Sequence, residues 1–151
     1  MNNNEVISIL EDLVGTCKRG QDTFQNAAEN IQNSEFRRLF NIFSQQRVQF
    51  ITELNSEVNR LGGDGNVETK GETPAGLPSN TVPFRSPAGK PGGRDEAGII
   101  GECQREEEAA VNDYQEALKA DLPLDVQYVV KRQYMDIKDA YDRIRILQRA
   151  A

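Results

Sequence analysis

The sequence predicts an all-α protein: a four-helix bundle of two antiparallel helical hairpins joined by a long crossover. Three observations carry that prediction. Four stretches repeat apolar residues at spacings of three and four, the mark of a helix with one buried face. The outer two gaps between these stretches are a few residues long, whereas the middle one runs from Gly62 to Gly93. That middle segment holds five of the six prolines and eight of the twelve glycines, which excludes helix and central strand there.

The first helix is expected over 4–31. Val6, Leu10, Leu13, Cys17, Phe24, Ala28 and Ile31 form its stripe, broken at Gly20-Gln21. Gly20 costs about 1 kcal/mol against alanine in a helix, so a close contact is expected at that point. Asn33 or Ser34 suits an N-cap for the second helix, 35–61, and Glu35 suits its first turn. Phe36, Leu39, Phe40, Phe43, Phe50, Leu54, Val58 and Leu61 form its stripe. Arg47 projects into the middle of that stripe and Gln46 onto its edge, before Gly62-Gly63 stops the helix. The third helix, 95–120, has Asp95 as a cap and Ile99, Cys103, Ala110, Tyr114 and Ala117 on one face. The fourth, 123–149, opens with Pro123 at a first helical position and buries Val126, Val130, Ile137, Tyr141 and Ile144. The whole of 1–151 reads as one domain.

The long gap has a geometric reason. A helix of about 27 residues is roughly 40 Å long. If the third helix runs parallel to the second, the chain must return the full length of the bundle. The 62–93 segment reaches that far, and Leu77, Val82 and Phe84 could pin it to the bundle surface. One such crossover between two hairpins is the ferritin-like arrangement.

Composition limits function. There is no histidine, which removes the commonest general base and transition-metal ligand. A net charge of -6 disfavours nucleic acid and anionic lipid, both of which attract lysine and arginine. No apolar run reaches membrane-spanning length. The Met-Asn-Asn-Asn-Glu start lacks the basic and apolar regions of a signal peptide, so a cytoplasmic location is expected. Cys17 and Cys103 then read as reduced, buried core thiols.

Polar residues interrupt all four stripes. Gln21, Arg47, Glu107 and Gln133 lie about a dozen residues from the nearer short turn, hence at similar height in the bundle. Carboxylate di-metal bundles place their ligands there: a Glu on each of two helices and Glu-x-x-His on each of the others. The matching places are Gln21, Gln46-x-x-Gln49, Glu107 and Gln133-x-x-Asp136. Neutral amides and a guanidinium do not balance two divalent cations. A structural polar layer is therefore the favoured reading, with Glu107 and Arg47 paired, Gln21 and Gln133 completing it, and Glu106 and Glu108 facing water. The competing reading is a degenerate iron or manganese site with Glu107, Asp136, Glu29 and Gln46 as ligands.

Taken in order, several motifs resemble a known family. They are Cys17 to Phe24 with Gly20; Gln46-Arg47 with Phe50 and Leu54; Leu61-Gly62-Gly63; and Glu102-Cys103 with Glu107-Glu108, Tyr114 and Ala117-Leu118. Leu122-Pro123, Gln133 and Asp142-Arg143-Ile144 complete the set. The chain resembles a bacterial group of four-helix-bundle proteins of unknown function, classed as ferritin-like. That family usually carries Glu at the place of Gln46 and His at the place of Tyr141. The resemblance implies a fold and a bacterial cytosolic setting, and it supplies no activity. The expectation is a non-catalytic structural or interaction protein, stress-linked and without cofactor, that self-associates as a dimer. Ile42 and Val48, off the main stripe of the second helix, point the same way. A third reading makes 62–93 a partner-binding segment.

Overall fold

Two apolar clusters, one towards each end of a bundle of four helices, form the core, and a polar layer separates them. The computed structural model describes residues 1–63 and 96–150. Its elements are α1 (Asn3–Asn30), α2 (Ser34–Arg60), α3 (Glu96–Leu118) and α4 (Leu124–Ala150). No strand occurs among the described residues, and no described helix is long and apolar enough to cross a membrane. The Asp95 cap and the crossover beyond Gly63, with Leu77, Val82 and Phe84, lie outside the described residues.

The helix ends follow from local chemistry. Asn2 caps α1 in a capping box: the Glu5 amide donates to the Asn2 side chain, and the Asn2 amide donates to Glu5. This draws the first helix back to Asn3, one residue before its expected start. The cap of α2 is Asn33, whose side chain accepts from the amides of Glu35 and Phe36. The third helix stops at Leu118 because the amides of Lys119 and Ala120 bond three residues back, tightening the last turn. Pro123 sits one place before α4 and accepts from the Gln127 amide at 2.8 Å.

At the end of α2 the Gly63 amide reaches the Val58 carbonyl at 2.9 Å, and the Gly62 amide reaches the Asn59 carbonyl at 3.0 Å. This is a Schellman closure, and it places Gly62 at φ 97°, where a Cβ is strained.

Helix α1 packs on α2 and α3, and α4 packs on α3 and α2. The first turn of α1 lies beside the last of α2, where the Asn3 side chain donates to the Leu61 carbonyl. Their other ends meet through stacked Phe24 and Phe40 rings, 6.0 Å apart. Arg60 reaches Asp125 at 2.9 Å, which sets the end of α2 beside the start of α4. Gly101, near the start of α3, lies against Gln148, near the end of α4.

The division of the core is visible along the chain. Cys17 and Phe24 on α1, Phe50 and Phe43 on α2, and Ala110 and Cys103 on α3 fall into opposite clusters. Between the members of each pair stand Gly20, Arg47 and Glu107 respectively. Gly62→Ala is expected to lower stability by about 1 kcal/mol, through strain at a left-handed position. Urea denaturation with an unchanged m-value checks this.

Candidate functional site

The polar layer is built around a side chain that crosses the bundle. Helices α2 and α3 face each other over the diagonal, so only long side chains bridge them. Arg47 and Glu107 do so, both with 0 % exposure. Arg47 Nη1 donates to Glu107 Oε1 at 2.8 Å, and Nη2 donates to Oε2, giving a two-pronged pair. The guanidinium carbon also lies 5.2 Å from the centre of the Phe24 ring and 5.9 Å from that of Phe50. Both ends of the cation are thus engaged, and Arg47 Nε is the one nitrogen of the group without a hydrogen-bond partner.

Gly20 makes the space. A Cβ there would stand 2.9 Å from Arg47 Nη1. The guanidinium cannot swing away without losing its carboxylate. The break in the α1 stripe therefore admits a side chain rather than a neighbouring backbone.

A second chain of hydrogen bonds runs beside the pair and touches all four helices. Tyr114 Oη donates to Gln133 Oε1 at 2.7 Å. Its only proton is used there, so the Cys17 thiol, 3.2 Å from the same oxygen, is the donor in that contact. Gln133 Nε2 donates to Glu53 Oε1 at 2.8 Å and to the Phe50 carbonyl at 3.4 Å. Because a carboxylate only accepts, this fixes which way the Gln133 amide points. Arg132 closes the chain on Glu53 at 3.1 Å, at the bundle surface.

Burial governs the acid–base character. It pushes the Cys17 thiol up to about 11, against the smaller lowering effect of the Tyr114 contact. It likewise pushes Tyr114 well above its ordinary value. Burial also raises the Glu107 carboxyl, and the Arg47 guanidinium opposes that rise. For Arg47 burial acts downward, yet the attraction of Glu107 outweighs it and holds the guanidinium charged. We take the guanidinium as charged throughout the working pH range, and its charge as what keeps the carboxylate ionised beside it.

The residues singled out in the sequence divide as follows. Arg47, Glu107 and Gln133 are fully buried in the layer. Gln21 is half-buried, and its backbone carbonyl, not its side chain, accepts from Ser44 at 3.3 Å. Asp136, Glu29 and Gln49 are exposed, and Gln46 is half-buried with a buried Oε1 that has no partner. Among the described residues no three Cys, Asp or Glu side chains gather in a way that could hold a metal ion. The residues present do not fit a di-metal centre: one of the four ligand positions is a paired Glu, and a cation already occupies its oxygens.

Glu106 does not face water as expected. It is half-buried, with Arg19 Nε 3.7 Å away and Arg19 in turn 3.2 Å from Asp113. Burial raises its carboxyl. Glu108 is exposed, and Cys17 and Cys103 are buried and form no disulfide. Sequence reasoning missed Glu53 and the polar use of Tyr114 and Cys17. The available signal was the Tyr114 hydroxyl on a buried face, which requires a partner.

Residues 5–120 match the family model described as a domain of unknown function, DUF2383. The chain belongs to this family. No curated protein matches it. The matched family segment contains Cys17, Gly20, Arg47, Glu53, Glu107 and Tyr114, and ends before Gln133 on α4.

Three outcomes are expected. Glu107→Gln should cost about 3–5 kcal/mol in chemical denaturation, since it leaves a buried cation uncompensated. The double variant Arg47→Met/Glu107→Leu should be close to neutral or more stable than wild type. For Cys17 the unfolded thiol loses its proton near 9.0 and the folded one near 11. Between these values the folded state holds more protons, so stability falls as pH rises, by up to about 3 kcal/mol. Denaturation at pH 8.5 and 11 should show a smaller fall in Cys17→Ala than in wild type.

Proposed function

We propose that this chain is a non-catalytic structural or interaction protein of ferritin-like architecture that works as a homodimer. The arrangement is two antiparallel hairpins, α1–α2 and α3–α4, with α2 and α3 running the same way across the diagonal. The end-to-end contacts of Asn3 with Leu61, Arg60 with Asp125 and Gly101 with Gln148 support it. So does the length of the segment between Arg60 and Glu96.

The observation that carries the functional reading is the Arg47–Glu107 pair. It fills the position where a ferritin-like bundle gathers carboxylates around metal. A divalent ion on Glu107 would have to share the interior with a tethered guanidinium that burial prevents from leaving. The other chemistry a bundle of this kind could offer is muted as well. The Cys17 thiol is buried and held protonated, which makes it a poor nucleophile.

Expression in medium supplemented with iron or manganese, followed by elemental analysis of the purified protein, tests this reading. Metal well below one ion per chain is expected. Near-stoichiometric metal that disappears in a folded Asp136→Asn or Glu107→Gln variant would overturn it.

A further inference from the structure

We propose that α4 is the self-association surface, pairing antiparallel with α4 of a second copy about a twofold axis at Met135; this rests on the self-association proposed above. Leu124, Tyr128, Met135 and Ile146 are 81%, 68%, 63% and 57% exposed. Single exposed apolar residues are ordinary, but these four are aligned. At about 100° per residue they lie within about 20° of one line along the helix. That line is directly opposite the buried face of Val126, Val130, Ile137 and Ile144.

The spacing is symmetric. Leu124 and Ile146 each stand eleven residues from Met135, and eleven residues make three turns. A twofold axis at Met135 therefore sets Met135 against its own copy and Leu124 against Ile146 of the second chain. A surface that matches itself in this way is what an isologous dimer requires.

Charge is compatible with the same orientation. One flank of the stripe reads Asp125, Arg132, Asp139, Arg143, alternating in sign. Their side chains are between 42% and 65% exposed. Reversed, the series opposes Arg132 to Asp139 and Asp125 to Arg143 of the second copy. Parallel pairing would set this flank against the opposite one, where Arg132 meets Lys131 while Asp139 meets Lys138 and Arg143 meets Asp142, so charge fits the antiparallel pair without excluding the parallel one. On the other flank Lys131 and Lys138 approach one another; Asp142 lies on the stripe line itself, opposite Tyr128 of the second copy and 3.6 Å from Lys138, where it offsets their repulsion. The pairs are exposed, so they add little affinity, and the orientation rests on the symmetric spacing about Met135.

Light scattering coupled to size exclusion tests this on the full chain. Wild type is expected at twice the 16.9 kDa chain mass. Met135→Lys, which sets two ammonium groups face to face, should halve that mass with helical circular dichroism unchanged. Met135→Cys should form a covalent dimer with diamide, while Ile146→Cys alone should not, because its own copy is far along the helix. A wild-type dimer that persists in Met135→Lys overturns this interface and leaves self-association standing. A single-chain wild type overturns both. Equal crosslinking of the two cysteine variants would move the axis and overturn the register.

Discussion

A buried guanidinium that must keep its carboxylate constrains the rest of this bundle. Arg47 and Glu107 come from helices that are not among the closely packed pairs, so their pairing ties the diagonal together. Sliding α2 by one turn against α3 would move the donors about 5.4 Å and leave two buried charges apart. Apolar side chains tolerate such slippage better, since any methyl group packs against another. The pair is thus a device for register more than for stability, because desolvation consumes much of its attraction. Gly20 follows from it: any larger residue at that point collides with the cation. Phe24 and Phe50 follow too, since their faces line the remainder of the guanidinium.

The neighbouring chain from Cys17 through Tyr114 and Gln133 to Glu53 adds a constraint of a different kind. Each link is satisfied by a group on another helix, so no helix can rotate without stranding a buried polar atom. The directions are forced in sequence. The carboxylate accepts, so the amide nitrogen faces it; the amide oxygen then faces the tyrosine; the tyrosine then accepts from the thiol. One ionised group near the surface orients a proton chain that ends in the middle of the core. This explains why a bundle with a modest apolar content, 37% of residues, can still specify one packing.

Much of this was legible in the sequence because helical periodicity reports direction. Arg47, Glu107 and Gln133 stand on stripes that are otherwise apolar, and the second and fourth helices signal their ends with asparagine, glycine or proline. What periodicity does not report is which atom a side chain offers. Tyr114 and Cys17 count as apolar in a helical stripe, so their hydrogen bonds leave no trace there, and Glu53 lies off the stripe. Gln21 was placed in the layer in place of Gly20 because a polar residue attracts notice where a missing side chain does not. The exposed stripe of α4 escaped for a related reason. Its repeat of eleven is diluted by charge and falls opposite the stronger core repeat of three and four.

The comparison with a metal centre turns on what replaces an ion. A divalent cation among carboxylates is mobile and exchangeable, and its binding depends on the protonation of its ligands. Arg47 puts one positive charge into the same interior space, but the charge is fixed by a covalent stem and does not titrate in the physiological range. It needs one carboxylate where two cations would need four. The residues at the other ligand positions then have no charge to balance. Gln46 and Gln133 carry amides, Tyr141 packs half-buried beneath Arg145, and Asp136 points to solvent. Each of these is what an interior with one tethered cation permits, and together they leave the bundle's centre occupied by its own side chains.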